Sequence, residues 1–213
     1  MITIKTFVFN SFQENTYVLS DESGKCVIID AGCNSDLEFD KLVKYISSNK
    51  LVPEKLLLTH GHVDHVLGVA KVCDYYKIET EAHEQELKLI KAAPEYGVVF
   101  GFNATPVPDI SRFLEEGISI NFGKSKLDVF HVPGHSRGSV ALYSEADKFV
   151  ITGDVLFKGS IGRTDLPGGD YDAIMKSIST KLLTLPDDTY VFPGHGPSTT
   201  IGIEKKSNPF LIG

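Results

Sequence analysis

The sequence predicts an α/β fold of two β-α layers, sheets inward and helices outward, in a single domain spanning residues 1–213. Three observations carry that expectation. The first half alternates strand-like and helix-like periods in the order β-α-β-α-β-α, the pattern of a sheet with helices packed on its outside. The second half repeats the style, with short strands and tight turns before one amphipathic helix and a last strand. In both halves apolar runs end in Asp, in Pro-Gly-His or in a His-rich loop, so polar side chains collect at strand ends. A length of 213 residues with 42% hydrophobic content supports one sizeable core and leaves little for a second large domain.

In chain order, Ile2–Phe9 alternates apolar with polar. Asn15–Ser20 and Lys25–Ile29 read as further strands across the turn Asp21-Glu22-Ser23-Gly24, an antiparallel opening. Val27-Ile28-Ile29 is apolar at successive positions, as suits a strand covered on both faces, and it runs into Asp30. Phe39, Leu42, Val43 and Ile46 keep the spacing of an amphipathic helix over Ser35–Ser48, with Ser35 or Asp36 as its cap. A strand at Lys55–Thr59 follows, then a helix over Val66–Tyr75, a strand over Ile78–Ala82 and a helix over Glu84–Ala92. Ala93–Arg112 breaks the rhythm with Pro94, Pro106, Pro108, Gly97 and Gly101. Its Tyr96, Phe100 and Phe102 suit either a lid or substrate wall or an irregular surface crossing. Beyond it, Ile118–Phe122, Lys126–Val132, Ser139–Ser144 and Lys148–Thr152 read as strands. Asp170–Leu183 reads as a helix with Tyr171, Ile174, Met175, Ile178 and Leu182 on one face, capped by Asp170 or Asp172, and Thr189–Phe192 is the last strand.

A formal net charge of −7 without clustered Lys and Arg argues against a nucleic-acid partner. No run approaches the length of a membrane span, and Met1-Ile2-Thr3-Ile4-Lys5 lacks the basic-then-apolar order of an export signal. Cys26, Cys33 and Cys73 are too few and too irregularly spaced for a disulfide framework. The expectation is a cytoplasmic protein that engages neither nucleic acid nor membrane, as a monomer or small homo-oligomer.

Four metal-competent side chains fall within six residues, His60-Gly61-His62-Val63-Asp64-His65, directly after the apolar Leu56-Leu57-Leu58. Unpaired charge and needless imidazole at the end of a buried strand cost stability, and a cation removes that cost. The ligands alternate instead of sitting four apart, which suits a loop and a helix start. His60 and His62 then serve one ion while Asp64 and His65 turn toward a second, and loop ligands leave an open coordination position for catalysis. A closed structural zinc site would recruit cysteine, and none lies near. Phe130-His131-Val132-Pro133-Gly134-His135 and Tyr190-Val191-Phe192-Pro193-Gly194-His195 each stop an apolar strand at Pro-Gly and present one imidazole. Phe149-Val150-Ile151-Thr152-Gly153-Asp154 presents a carboxylate in the same way.

HxHxDH followed by His135, Gly153-Asp154 and Pro193-Gly194-His195 resembles the metallo-β-lactamase superfamily, over almost the whole chain. The resemblance implies an α/β fold of the αβ/βα four-layer sandwich type, two mixed sheets with helices outside and the site at one sheet edge. It implies His60, His62 and His135 as ligands of a first divalent ion, Asp64, His65 and His195 of a second, and Asp154 as the bridge. Such donors suit zinc, with iron or manganese as other occupants. Two ions lower the pKa of a shared water to make the nucleophile, Asp64 is placed as the catalytic proton acceptor, and no Ser, Cys or Lys nucleophile is needed. Asp30 is by the same resemblance a residue that orients a ligand, or else a plain strand-end Asp.

The ligand identities narrow the family. His62 stands where the oxygen-reducing di-iron branch has Glu, and Asp154 where many secreted β-lactamases carry Cys. The acidic chain disfavours a tRNA-processing nuclease, which leaves the glyoxalase II branch. Gly153-Asp154-Val155-Leu156-Phe157, Gly159 to Asp170 and Pro193-Gly194-His195-Gly196-Pro197 look like the short glyoxalase II-like hydrolases of bacteria, which lack the helical domain that grips glutathione in longer members. That resemblance implies a small-molecule thioester of the hydroxyacyl-glutathione kind as substrate. Arg163 stands where those enzymes place a basic residue: it holds a substrate carboxylate, or it pins its own loop through Asp165 or Asp170. Two rival readings remain, a mononuclear iron persulfide dioxygenase, which Gly162-Arg163-Thr164-Asp165 also resembles, and a non-catalytic metal-binding module. His83 and His131 read as structural or solvated, Cys33 as a packed residue, and Lys205 and Lys206 as a solvated pair or the edge of an entrance.

Overall fold

Six strands form the first sheet of the computed structural model, which describes residues 1–212: β1 (Thr3–Phe9), β2 (Glu14–Ser20), β3 (Lys25–Ile29), β4 (Val52–Leu57), β5 (Thr80–Ala82) and β6 (Arg112–Phe113), in that order. β1, β2 and β3 pair antiparallel, and β3 through β6 pair parallel. This sheet belongs to the first of two units of chain, residues 1–113 with 121–126, the second being residues 114–120 with 127–213.

A parallel return needs a crossover, and helices supply each one: α1 (Asp36–Ser48), then α2 (Val63–Val66) with α3 (Val69–Tyr76), then α4 (Leu87–Val99). Ser35 caps α1 by accepting from the Glu38 amide at 3.3 Å. Phe39, Leu42 and Ile46 on its inner face join a buried cluster with Cys26, Ile28 and Leu56 of the sheet. Each such side chain stabilises the fold by roughly 1.5–3 kcal/mol. Tyr17, Leu19, Val27, Ile29 and Leu57, which point the other way, are buried as well. The unbroken apolar run of β3 is therefore a strand covered on both faces.

Three expectations are corrected in this unit. β4 starts at Val52 and stops at Leu57, so Leu58 and Thr59 already belong to the loop. The helix expected over Val66–Tyr75 is two helices, parted at Leu67-Gly68. There the Gly68 amide donates to the Ala31 carbonyl at 2.7 Å, and a Cβ would fall 2.2 Å from Cys33 Sγ. The irregular stretch expected from Ala93 begins only at Phe100, because α4 runs on through Pro94. Ile90, Ala93 and Gly97 form its buried face, and that packing outweighs the hydrogen bond Pro94 cannot make. A single 3-10 turn, Glu84–Glu86, precedes α4, capped by His83 Nδ1 accepting from the Gln85 amide at 3.2 Å. Of the aromatics beyond α4, Phe100 and Phe102 pack edge-on against Phe12 of the β1–β2 turn at 5.5 and 5.0 Å.

Residues 121–126 are fastened within this unit by Asp21, whose carboxylate accepts from the Lys124 amide at 2.6 Å, from Ser125 Oγ at 3.0 Å and from the Ser23 amide at 2.9 Å. Burial pushes this carboxyl up, but the hydrogen bonds from Ser23, Lys124 and Ser125 outweigh it and hold it at about 2.

The second sheet contains β7 (Ser119–Phe122), β8 (Ser125–His131), β9 (Val140–Ser144), β10 (Phe149–Gly153), β13 (Tyr190–Pro193) and β14 (Thr199–Thr200), in the order β14-β13-β10-β9-β8-β7, with a separate hairpin of β11 (Leu156–Phe157) and β12 (Ser160–Ile161). β10 pairs parallel with β13, while β8 with β9, β9 with β10 and β13 with β14 pair antiparallel. α5 (Tyr171–Ser177) is capped by Asp170, which accepts from the Ala173 amide at 2.9 Å, and it continues into a π turn over Ile178–Leu182. The wide turn keeps Ile174, Ile178 and Leu182 fully buried beside Val132, Ala141, Val150 and Val191, whereas Tyr171, expected on that face, is 52% exposed. α6 (Ile201–Ser207) closes the unit. Both sheets are mixed and carry helices, the α/β fold the sequence predicts. No helix of the described residues is long and apolar enough to cross a membrane.

Candidate metal centre

The loop that follows β4 in the first unit is governed by one buried carboxylate. Asp30, at the end of β3, has φ 51°, a left-handed backbone that Asp tolerates better than most residues. Its side chain accepts from the Thr59 amide at 2.7 Å, from Thr59 Oγ1 at 2.5 Å and from His65 Nδ1 at 3.0 Å. Thr59 has thereby given its proton to Asp30, so its oxygen accepts from His60 Nδ1 at 3.1 Å. In both imidazoles Nδ1 carries the hydrogen and Nε2 keeps its lone pair, the form that binds a cation. His60 and His65 are 1% and 0% exposed, and their ring centroids stand 4.1 Å apart, with His62 4.8 Å from His60. Asp30 therefore orients the His65 ring and, through Thr59, the His60 ring, and is more than a plain strand-end Asp.

Two more residues brace this loop and a third, Glu14, lies close enough to feel its charges; sequence reasoning did not single them out. Glu86, fully buried just before α4, accepts from the Gly61 amide at 2.7 Å, between the first two of the motif's three histidines. Asn10 Nδ2 donates to the carbonyls of Asp64 and Gly32, both at 3.0 Å. Glu14, fully buried, accepts from Thr16 Oγ1 at 2.8 Å, and its desolvation, reinforced by Asp30 and Asp64 against the pull of His65, raises its pKa well above the carboxylate range. Gly32 leaves the room: a Cβ there would lie 2.1 Å from Glu14 Oε2 and 2.6 Å from the Asp64 carbonyl. Cys33 is a packed thiol as expected, pushed up to about 12 by burial and by Glu14, and so unreactive.

The second unit collects its candidates differently. Asp154 follows β10 directly, His195 lies two residues past β13 and His135 four past β8. Asp154 Oδ2 stands 3.7 Å from His135 Nε2 and 3.5 Å from His195 Nε2. His135 Nδ1 donates to the Arg163 carbonyl at 2.9 Å, which again leaves the lone pair on Nε2. These three line a cleft of about 430 Å³ together with Phe157, Lys158, Arg163, Gly196 and Pro197. Arg163 gives its fork to Asp165, Nε to Oδ1 at 2.8 Å and Nη2 to Oδ2 at 2.7 Å, which is the loop-pinning one of its two readings. Those bonds hold Asp165 at about 2. His131 Nε2 donates to the Arg137 carbonyl at 2.9 Å, a structural role, and Lys205 pairs with Asp187 at 2.6 Å.

The donor sets fit divalent ions. The Nε2–Oδ2 separations of His65–Asp64, His135–Asp154 and His195–Asp154 are 3.6, 3.7 and 3.5 Å, outside hydrogen-bond range. Ligands about 2.1 Å from a tetrahedral ion stand roughly 3.4 Å apart, so these pairs have the spacing of two ligands on one cation. In the first unit, donor atoms of Asp30, His60 and His65 lie within 4.8 Å of one another, with the Asp30 carboxylate on the Nδ1 side of His65.

Comparison with known proteins agrees. The family described as the metallo-beta-lactamase superfamily matches residues 10–195. A relative from Haemophilus influenzae, hydroxyacylglutathione hydrolase GloC, is 37% identical over 99% of this chain and 98% of its own. Among solved structures, the BLEG-1 B3 metallo-beta-lactamase is 38% identical with a TM-score of 0.91 over 99% of this chain and 100% of its own. TTHA1623, solved in a di-iron-bound form, is 40% identical with a TM-score of 0.88 over 97% of this chain and 100% of its own. With the fold, the family match and clusters suited to divalent metal ions in agreement, the chain belongs to the metallo-β-lactamase superfamily.

Proposed function

We propose that His60, His62, Asp64, His65, His135, Asp154 and His195 serve one pair of divalent ions in a single domain, and that the protein hydrolyses thioesters of the hydroxyacyl-glutathione kind. The observation that carries hydrolysis is the shared orientation of His60, His65 and His135. Each has its Nδ1 committed to an oxygen, which leaves the lone pair on Nε2, and in His65 and His135 that Nε2 faces the carboxylate of Asp64 and of Asp154. The substrate class is supported by the identity to the Haemophilus influenzae relative over nearly both whole chains.

His60, His62 and His135 would hold one ion, Asp64, His65 and His195 the other, and Asp154 both. Two such ions supply an activated water at neutral pH and polarise a carbonyl. The chain's own residues prepare for that chemistry. Asp30 fixes the tautomers of His65 and, through Thr59, of His60. Asp64, 7% exposed and with its main chain tied to Asn10, is the carboxylate that takes the proton released as water attacks. The three cysteines, buried and free of disulfides, suit work in a reducing cytoplasm.

Purified, zinc-loaded protein tests the reading when given S-lactoylglutathione and followed by loss of the thioester absorbance. The expected result is turnover that a chelator abolishes, with about two metal equivalents per chain. Oxygen uptake on glutathione persulfide with one iron per chain would replace it with the dioxygenase reading. Ring opening of a chromogenic β-lactam without thioesterase activity would align the chain with BLEG-1 instead.

A further inference from the structure

Two cations line the cleft beside His135, Asp154 and His195, and they differ in what they already do. The Arg163 guanidinium is neutralised by its two bonds to Asp165. Lys158 is exposed at the rim, and among the described residues it has neither an ion-pair partner nor a hydrogen bond to its ammonium.

Its position is fixed although its side chain is uncommitted. The pairing Leu156↔Ile161 and Phe157↔Ser160 makes Lys158-Gly159 the two-residue turn of the β11–β12 hairpin. Gly159 takes the left-handed conformation, φ 70°, that the turn requires. The turn is bolted to α6: the Gly159 amide donates to Glu204 Oε2 at 2.9 Å, and Asn208 Nδ2 donates to the Ser160 carbonyl at 3.0 Å. Glu204 and Asn208 are fully buried, and Glu204 Oε1 accepts from Thr199 at 2.6 Å. Two buried polar side chains are thus spent on holding a turn whose outermost group is an unpartnered ammonium over the cleft. A cation held so costs little while solvated and needs no loop ordering when an anion arrives.

We propose that Lys158 is the anion-binding residue of this cleft, that it selects thioesters bearing a carboxylate on the thiol portion, and that Arg163 serves to pin its loop. This rests on the thioesterase reading for the identity of the substrate, whereas the anion site can be tested without turnover. The probes are glutathione and its diethyl ester, which share a thiol and differ in their carboxylates, so any thiol–metal contact cancels.

Calorimetric titration of zinc-loaded wild type should show glutathione binding about five- to tenfold tighter than the diester, with the ratio falling as salt is raised. In Lys158→Ala the ratio should collapse toward one, and Lys158→Arg should restore most of it. In kinetics, Lys158→Ala should raise KM by a similar factor for a glutathione thioester, with kcat within about twofold, and leave the thioester of a neutral thiol unchanged. Equal discrimination by wild type and Lys158→Ala, or none in wild type, would overturn the proposal. Discrimination that follows Lys158 without hydrolysis of either thioester would leave the anion site standing and remove the thioesterase reading. Hydrolysis without discrimination would do the reverse.

Discussion

In the first unit four candidate ligands lie within six consecutive residues and are held by side chains from outside the motif, Asp30 and Glu86 from distant segments and Thr59 from the position before it. In the second, three candidates come from the ends of three strands, and the brace on His135 is a main-chain carbonyl. A contiguous loop gathers its ligands at little entropic cost, but a loop has no ladder to fix rotamers, so buried acceptors must do it. Strand ends are already fixed by their sheet, and backbone suffices. The first group should therefore be sensitive to residues that are not ligands, and the second largely insensitive to its neighbours' side chains.

The largest expected effect comes from Asp30. Asp30→Ala removes the acceptor of three buried hydrogen bonds and should destabilise the fold by about 3 kcal/mol or more and lower metal affinity roughly 10- to 100-fold. Arg163→Ala keeps the carbonyl that His135 uses, and should leave metal affinity within about twofold. Urea unfolding and zinc competition on both variants check this, and equal losses of affinity would erase the contrast between the two groups.

Each group also has a glycine beneath the backbone of its carboxylate. Gly162→Ala would put a Cβ 1.9 Å from the Asp154 carbonyl, and Gly32→Ala one 2.1 Å from Glu14 Oε2 and 2.6 Å from the Asp64 carbonyl. Backbone yields less than a side-chain end, so Gly162→Ala should be the worse, each costing about 1–3 kcal/mol or more. Adding Glu14→Ala to Gly32→Ala should recover part of its loss and do nothing for Gly162→Ala; a double-mutant cycle in thermal unfolding measures the difference.

Glu86→Ala should cost about 1–3 kcal/mol by stranding the Gly61 amide, while Glu86→Gln retains an acceptor and should recover most of it. If Gln proved as damaging as Ala in unfolding and in metal titration, the hydrogen bond would not be what Glu86 contributes.

The smallest effect is in acid. Asp21 is held at about 2 in the folded protein, against about 3.9 unfolded, so its contribution is complete above about pH 4 and lost as pH falls through 2. The stability gap between wild type and Asp21→Asn should narrow over that window. Asp165, also at about 2 but 68% exposed in its ion pair, should show a weaker version of the same behaviour.

Much of this was legible along the chain, because strand periodicity, Pro-Gly stops and ligand chemistry are local. The pattern places the strands ending near His60, Asp154 and His195 to within a few residues and narrows each cap to two neighbouring candidates, of which the structure uses Ser35 over Asp36 and Asp170 over Asp172. Two-residue strands such as β11, β12 and β14 are too short for any period to register, and α6 is a single short helix containing Gly202. The course of α4 through Pro94 was decided by packing that local propensity does not contain.

The sequence by itself determined which residues are fit to bind metal and that they follow strands, since those depend on side-chain chemistry and on neighbours in the chain. Only the tertiary structure decided how they are braced. Asp30 reaches His65 across 35 residues, Glu86 reaches Gly61 across 25 and Asn10 reaches Asp64 across 54, separations no local pattern encodes. It decided too that Arg163 is spent on Asp165 while Lys158 is left uncommitted, because whether a charge is satisfied depends on which groups the folded chain brings within reach.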